Sequence, residues 1–307
     1  MKYKYLCLLL ILLASCSSGK MNDSEPTAVI ITAGQSNTDG RIGNDKLPDY
    51  ILNGYKDNAY QYCKISRGST TDTVTGNFKP FWPSIKNKNN PHRWAYDAVT
   101  YYWLEKAFQK DFYVIKWSLG GTAIDTAATS NSKYYWQADE NWLTQNTSTA
   151  KGGKSLLLSF EENISLCIDS TLSKLKNGYS IKAFLWHQGE SDSKYGSHYY
   201  ENLKNVIAHM RNFLVQKTGD MKYKQLPFIC GTVSRLNKQY NKEVETAMHQ
   251  LALEDSNFYV IDMSQGELQT DQLHFTETSA EYLGIEMYNK LVELNIAGNR
   301  AKKVTLK

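Results

Sequence analysis

The sequence predicts a three-layer α/β/α sandwich built on a mainly parallel, five-stranded sheet. Short apolar runs rich in β-branched residues alternate with segments of helical periodicity along most of the chain. Strands that alternate with helices in this way are joined by parallel crossovers. In such a sheet, binding and catalytic groups lie beyond the carboxyl ends of the strands.

The apolar runs and the periodic segments define the individual elements. Strands are predicted at 28–33, 112–117, 181–186, 227–233 and 258–261, and helices at 94–110, 157–175, 197–217, 242–254 and 278–294. The first strand has the sequence AVIITA and ends at Gly34. The second helix is marked by apolar residues at three- and four-residue steps, and Asn177-Gly178 provides a left-handed stop after it.

Two long segments, 41–90 and 122–154, show neither pattern. Such insertions in a compact domain are usually functional loops or disordered segments, and their aromatic content argues against disorder. They and the start of the first predicted helix contain Phe81, Trp82, Trp94, 134–136 and Trp142. Flat aromatic side chains suit the apolar face of a sugar ring. Packing of the loops onto the domain explains them equally well.

The N-terminus has the features of a bacterial lipoprotein signal. Lys2 and Lys4 precede an apolar run that is too short to remain as a membrane span. Small residues then lead into Cys16, as in a lipobox, so we expect a signal peptide at 1–15, a lipidated tether at 16–26 and one domain at 27–300. The chain is then exported and anchored to a membrane through Cys16, facing either the periplasm or the outside. An ordinary cleaved signal is the alternative.

Charge and cysteine content exclude several classes of function. Removal of Lys2 and Lys4 with the signal lowers the formal charge from +4 to +2, which leaves no basic footprint for nucleic acid. Cys63, Cys167 and Cys230 are too widely spaced for a disulfide framework or a thiolate zinc site, which leaves a single disulfide as the alternative to buried free thiols in an exported protein. No metal-binding, P-loop or dinucleotide motif is present, so we expect neither metal nor cofactor. The oligomeric state is not predicted.

A serine and a histidine at opposite ends of the chain suggest nucleophilic catalysis. Ser36 directly follows the first strand, and His274 lies between the last strand and the last helix. A serine needs a base, and that base needs a group to orient it. Asp271 is three residues before His274, close enough to bind the Nδ1–H and leave Nε2 free for Ser36. The alternative for Ser36 is a helix N-cap, which is compatible with this role.

An acyl-transfer site must also stabilise an oxyanion. The backbone N–H of Ser36, the backbone N–H of Gly120 and the side-chain amide of Gln188 are the predicted donors, because all three residues follow strands of the same sheet. Glycine lets the backbone approach a substrate closely. Gly121 is either an alternative donor or part of a bare turn.

Four ordered segments resemble the blocks that mark the SGNH hydrolase superfamily. They are GQSN at 34–37, GGT at 120–122, HQGESD at 187–192 and DQLH at 271–274. They are most similar to its sialate O-acetylesterase and carbohydrate esterase family six branch, and they span nearly the whole mature chain. The resemblance implies a flavodoxin-like sandwich and a metal-free serine esterase. It also implies that Ser36 is the nucleophile, His274 the base and Asp271 the orienting acid.

Several neighbouring residues are candidates for more than one role. Glu190 either replaces Asp271 as the partner of His274 or supports the site by orienting Gln188 or Arg41, and we favour a supporting role. Arg41 binds Glu190 or the sugar, or it forms an ordinary surface salt bridge. The remaining candidates for substrate contact are Gln35, Asn37, Gly121 and His187.

The predicted function is removal of O-acetyl groups from carbohydrate through an acetyl-enzyme intermediate. Two alternatives remain open at this point. One is a surface lipoprotein that binds glycans without turning them over, and the other is the same serine chemistry on lipid or thioester substrates. The sequence does not distinguish xylan, sialic acid or another acetylated glycan as substrate.

Overall fold

A computed structural model describes residues 25–55, 58–68, 74–83, 93–128 and 132–306. The strands are β1 Thr27–Gly34, β2 Ile42–Gly43, β3 Cys63–Gly68, β4 Lys79–Pro80, β5 Arg93–Trp94, β6 Phe112–Ser118, β7 Tyr179–His187, β8 Phe228–Gly231 and β9 Phe258–Ile261. The α-helices are α1 Ser36–Asp39, α2 Asp49–Tyr55, α3 Tyr96–Phe108, α4 Glu140–Thr144, α5 Leu156–Ser170, α6 Gly196–Thr218, α7 Lys242–Glu254 and α8 Glu277–Glu293. The predicted signal peptide, Cys16 and most of the tether lie outside the described residues.

The central sheet is mainly parallel, as predicted, but it has seven strands in the described part of the chain rather than five. Their order is β4-β3-β6-β1-β7-β8-β9, and only the β3–β4 pair is antiparallel. The two additional strands lie within 41–90, which the sequence had suggested to be irregular. They form the edge of the sheet, where Lys64 and Arg67 interrupt the apolar pattern of β3 and β4 is only two residues long. A short edge strand with polar residues lacks the signal of a buried strand.

A buried carboxylate on α3 fixes the start of β3. Glu105 is 2% exposed and accepts hydrogen bonds from the backbone N–H groups of Gln61, Tyr62 and Cys63 at 2.5–3.1 Å. The backbone N–H groups at the start of this strand therefore have a side-chain acceptor and need no partner on a neighbouring strand.

Helices cover both faces of the sheet and complete the three layers. Val29, Ile31 and Ala33 of β1 belong to a core that includes side chains of α5, α6 and α7. The alternate residues Ala28 and Ile30 belong to a second core, which includes side chains of α3 and α8. This alternation follows from the two-residue period of a strand with both faces buried.

Most of the loop aromatics pack into the domain. Phe81, Trp94 and Trp136 are buried, whereas Trp82 is 46% exposed. The Trp136 ring makes an edge contact with Trp186 of β7 at a centroid distance of 5.3 Å. Packing, rather than a sugar platform, therefore explains three of these side chains.

The three cysteines predicted within the domain are free and buried. Cys167 on α5 and Cys230 on β8 are the small buried side chains that the sequence suggested. Within the described ranges, none of the helices combines the length and the apolarity needed to cross a bilayer.

The order of the strands places the candidate residues around the end of β1. This strand lies at the centre of the sheet, and Gly34 at its end pairs with Ser118 of β6 on one side and His187 of β7 on the other. Gly34 has a φ of +149°, and an added Cβ would lie 2.2 Å from the carbonyl oxygen of His187. Only glycine fits there, and the chain turns directly into Ser36.

Candidate active site

Ser36 is the first residue of α1 and lies at the carboxyl end of the central strand. It is 7% exposed. The N-cap position is Gln35, and no side chain caps this helix. The Ser36 hydroxyl is therefore not used as a helix cap, which removes the structural alternative considered for it.

Asp271 and His274 form the pair that their spacing predicts. Oδ2 of Asp271 lies 2.6 Å from Nδ1 of His274, and Oδ1 accepts the backbone N–H groups of Leu273 at 2.9 Å and His274 at 3.0 Å. Gln272, between them, adopts a left-handed conformation with a φ of 57°, which closes the turn. The carboxylate is thus bound to both the backbone and the imidazole of the same turn.

These contacts also control the ionisation of Asp271. Partial burial acts to raise its pKa, but the two backbone N–H groups and the imidazole of His274 outweigh that effect. The pKa of Asp271 therefore lies below its ordinary value. An ionised carboxylate facing Nδ1 favours the tautomer with its proton on that nitrogen.

Two hydrogen bonds join the histidine loop to the serine segment. The backbone N–H of Phe275 donates to Oδ1 of Asn37 at 3.1 Å, so the residues that follow His274 and Ser36 are directly linked. The side-chain amide of Gln269 donates to the carbonyl oxygen of Arg41 at 3.2 Å. Asn237 supports the loop by donating to the carbonyl oxygen of Leu273 at 2.9 Å.

Ser36 and His274 thus lie on the same side of the sheet, at the carboxyl ends of the strands, but they are not hydrogen-bonded to each other. Among the described residues, neither the Ser36 hydroxyl nor Nε2 of His274 has a hydrogen-bond partner. Both atoms are therefore available to a bound molecule.

Gly120 faces Ser36, whereas the conformation of Gly121 is explained by its place in a turn. A Cβ added to Gly120 would lie 3.4 Å from Cβ of Ser36 and 2.2 Å from Nη2 of Arg41, so a side chain at this position would have to displace the Arg41 guanidinium. Gly121 has a φ of +70°, which accounts for its glycine as a turn residue. Within the described residues, the backbone N–H groups of Ser36 and Gly120 have no acceptor.

The prediction that the Gln188 side chain donates to an oxyanion is wrong for this structure. Gln188 is completely buried. Its Nε2 donates to the carbonyl oxygen of Thr122 at 3.1 Å and to Oδ2 of Asp192 at 2.5 Å, which uses both of its hydrogens. Its Oε1 accepts from the hydroxyl of Tyr199 at 3.1 Å. No donor is left for a substrate.

His187 is not placed to contact substrate either. It is completely buried, its Nδ1 lies 3.1 Å from the carbonyl oxygen of Gly231, and its Nε2 lies 3.2 Å from Oε1 of Glu190. Both ring nitrogens face acceptors within the protein, so neither is free to bind a substrate.

Glu190 contacts the serine segment rather than His274. Its Oε1 accepts from the side-chain amide of Asn37 at 2.9 Å. Burial acts to raise the pKa of Glu190, but the charge and hydrogen bond of His187, together with the donors on Glu190 and Asn37, lower it below the ordinary value. Glu190 therefore supports the site through Asn37 and His187. The proposed partners Gln188 and Arg41 are bound elsewhere.

Gln35 and Asn37 serve the scaffold more than the open cleft. Gln35 is 3% exposed and accepts the backbone N–H of Ser191 at 3.4 Å. Asn37 is 6% exposed and uses its amide to join Glu190 to Phe275. Asn37 does not fit the structure as a substrate contact, because both its amide nitrogen and its amide oxygen are used within the protein. Contact between Gln35 and a substrate stays a prediction.

Arg41 lies beside Gly120, the residue that faces Ser36. Its Nη1 binds Oδ2 of Asp39 at 2.6 Å and the carbonyl oxygen of Gly40 at 2.7 Å, so its ion partner is Asp39 and not Glu190. Nη2 lies against Gly120, and the side chain is 24% exposed. Arg41 therefore keeps a partly exposed guanidinium next to Gly120 and stays a candidate for substrate contact.

Asp192 was not singled out from the sequence, although it closes the HQGESD segment. It is completely buried and accepts the backbone N–H groups of Ile124 at 3.0 Å and Asp125 at 2.8 Å. A carboxylate a few residues beyond a buried strand is a signal that could have identified it. Its partners come from the long segment 122–154, which sequence alone could not place.

Asp192 should make the folding stability depend on pH. Burial raises the pKa of Asp192 to about 6, from an ordinary value of 3.8. Because the folded protein then binds this proton more tightly than the unfolded chain does, the carboxyl group favours folding less as the pH rises from about 4 to about 6. The asparagine of the Asp192→Asn variant does not titrate in this range, so it removes this pH dependence. The variant's free energy of unfolding, relative to the original protein, should rise by about 3 kcal/mol across that window.

Denaturant unfolding of both proteins at several pH values measures this difference. A difference that does not change with pH would contradict the raised pKa of Asp192.

Comparison with known proteins defines the class as a carbohydrate esterase. A family model described as "Carbohydrate esterase, sialic acid-specific acetylesterase" matches residues 26–293. The chain belongs to this family. The match covers nearly all of the described domain, including each of the four segments that carry the candidate residues.

Individual relatives agree with this assignment. An Arabidopsis thaliana protein named "Probable carbohydrate esterase" is 29% identical over 127 residues, which are 39% of this chain and 44% of that protein. The matched stretch thus spans less than half of that relative. The crystal structure of the same plant protein has a TM-score of 0.60 at 18% identity, covering 87% of this chain and 98% of the other.

Two further solved structures share the fold. The structure titled NanS has a TM-score of 0.56 at 14% identity and covers 88% of this chain and 98% of the other. A carbohydrate acetylesterase from Xanthomonas citri has a TM-score of 0.54 at 16% identity, with 88% and 56% covered. At these identities the likeness establishes the fold, and the predicted α/β sandwich is confirmed.

Proposed function

We propose that this protein is a serine esterase that removes O-acetyl groups from carbohydrate, with Ser36, His274 and Asp271 as its catalytic residues. One observation carries the proposal. The Asp271–His274 pair lies in a loop that is hydrogen-bonded to the residue following Ser36. The family match supports the acetyl ester and the carbohydrate.

In the proposed reaction, Oγ of Ser36 attacks the acetyl carbonyl carbon and its proton passes to Nε2 of His274. The backbone N–H groups of Ser36 and Gly120 stabilise the resulting oxyanion. The bond to the sugar oxygen then breaks, and His274 returns the proton to that oxygen, which leaves an acetyl group on Ser36. Water, deprotonated by His274, then attacks this ester; acetate leaves, and His274 returns the proton to Oγ of Ser36.

In the proposed reaction, substrate binding brings Oγ of Ser36 within hydrogen-bond distance of Nε2 of His274. Hydrogen bonds in catalytic sites are often absent without substrate and form only in the complex. Asp271 stays ionised throughout, as its lowered pKa requires, and stabilises the imidazolium that forms at His274. Glu190 acts indirectly. It fixes Asn37, and Asn37 in turn sets the spacing between the Ser36 segment and the His274 loop.

The substrate is tested by measuring acetate release from a panel of acetylated carbohydrates, including acetylated xylan and O-acetylated sialic acid. We expect release from at least one carbohydrate, and the Ser36→Ala protein serves as the blank. Hydrolysis of p-nitrophenyl acetate without release from any glycan would contradict the carbohydrate assignment. Glycan binding without hydrolysis of any ester would contradict the esterase.

We further propose that Cys16 anchors the mature protein to a membrane of a bacterial envelope. The support is the sequence alone, namely Lys2 and Lys4, the apolar run and the small residues before Cys16. The Cys16→Ala variant should move from the membrane fraction to the soluble fraction or keep its signal uncleaved. An unchanged distribution and size would contradict the anchor.

A further inference from the structure

We propose that Gln188 and Asp192 act together as a buried clamp that positions the Gly120 N–H against Ser36. Both are positioning residues, since neither has a free group that faces the cleft. The inference rests on the proposed function, in which that N–H stabilises the oxyanion. It assigns to Gln188 a role different from direct donation.

The clamp acts on the Gly120 loop, which we define as residues 119–125. The loop begins at the sheet, where the N–H of Leu119 donates to the carbonyl oxygen of Gly34 at 3.3 Å. Gly120 comes next, facing Ser36. The position of its N–H then depends on what holds the rest of the loop, because a glycine has no side chain of its own to fix it.

Two side-chain groups of the clamp hold the far half of the loop. Nε2 of Gln188 donates to the carbonyl oxygen of Thr122 at 3.1 Å. The carboxylate of Asp192 accepts the N–H groups of Ile124 and Asp125 at 2.8–3.2 Å. The loop is thus bound through both a carbonyl oxygen and two N–H groups, which fixes its orientation as well as its distance.

The two clamp residues also hold each other. The second hydrogen of Gln188 Nε2 donates to Asp192 at 2.5 Å. The Tyr199 hydroxyl on α6 donates to Oε1 and to the carbonyl oxygen of Gln188 at 3.1 and 2.8 Å. All three side chains are completely buried. The amide orientation is therefore determined, since a flipped amide would direct NH₂ at the tyrosine hydroxyl and oxygen at a carboxylate.

An acceptor with two oxygens is needed at Asp192. In the Asp192→Asn variant one oxygen becomes NH₂, which would face an N–H group of the loop or the amide of Gln188. The loop would lose a hydrogen bond and gain a repulsion while the side-chain volume stays the same. A displacement of about 1 Å of a catalytic group can cost about 100-fold in rate.

The expected result is a fall in kcat of about 10- to 100-fold on p-nitrophenyl acetate, with KM changed less than about 3-fold. The oxyanion exists in the transition state and not in the bound ester, so kcat should carry the loss. Gln188→Met should behave in the same way. The double variant should cost no more than about the larger single change, because both residues act on one loop.

Titration of Ser36 with an organophosphonate counts the correctly folded sites in each sample, so kcat is expressed per reactive serine. His198→Ala is the matched control. His198 contacts Asp125 at 2.8 Å at the outer end of the same loop, outside the clamp, and this variant should keep its kcat.

The outcomes separate the two claims. Activity in the original protein that Ser36→Ala does not remove overturns the proposed function. If activity does depend on Ser36, then an unchanged kcat per titrated serine in Asp192→Asn overturns the clamp. So does a rise in KM at constant kcat, or a loss of activity explained entirely by fewer titratable sites.

Discussion

The Ser36→Ala variant is expected to lose esterase activity by roughly 10⁴-fold or more while it folds normally. Ser36 lies at the end of the central strand, and its hydroxyl has no structural partner among the described residues. Removing that hydroxyl should therefore cost little stability and nearly all of the chemistry. Acetate release and thermal unfolding measure the two effects separately.

Ser118→Ala is a suitable control for this experiment. Ser118 lies at the end of the neighbouring strand, in register with Gly34, and its hydroxyl donates to Asp39 at 3.5 Å. We expect this variant to keep its activity. If Ser36→Ala released acetate as fast as Ser118→Ala does, another residue would have to be the nucleophile.

The Asp271→Asn variant is expected to lower kcat by about 10⁴-fold. The carboxylate of Asp271 faces Nδ1 of His274 at 2.6 Å and keeps the proton on that nitrogen. An asparagine amide can instead donate to Nδ1, which moves the proton to Nε2 and removes the base that Ser36 needs. The loss should appear in kcat, measured on a soluble acetyl ester.

Glu190→Gln is the matched comparison and should cost far less, about 100-fold at most. The substituted amide has the same shape as the carboxylate, and one side-chain oxygen suffices to accept from both Asn37 and His187, as Oε1 of Glu190 does. A loss in Glu190→Gln that exceeds the loss in Asp271→Asn would make Glu190 the acid. That result would reverse the assignment.

The parallel core of the fold could be predicted because its signals are local. Strands β1, β6, β7, β8 and β9 are apolar runs, and the helices between them have clear periodicity. The edge strands β3 and β4 could not be predicted. Charged residues interrupt the apolar residues of β3, and β4 is only two residues long. Their pairing depends on contacts with distant elements such as Glu105 on α3.

The candidate site also has parts that could be predicted from local sequence and parts that could not. The Asp271–His274 contact depends on a three-residue spacing, which a sequence displays directly. The orientations of Gln188 and His187 depend instead on partners far along the chain, at Thr122 and Gly231. A motif places such residues at the carboxyl ends of the strands, where the site lies. Their burial and partners decide whether each side chain faces the substrate or the protein interior.

The central claim is that Ser36 carries the acetyl group during the reaction, and mass spectrometry tests it most directly. The protein is mixed with an acetylated substrate, quenched in acid within the first turnovers, digested and analysed. We predict one added acetyl group on the peptide that contains Ser36, and none on that peptide in the Ser36→Ala protein. Rapid acetate release with the Ser36 peptide unmodified, or with the acetyl group on another residue, would contradict the account.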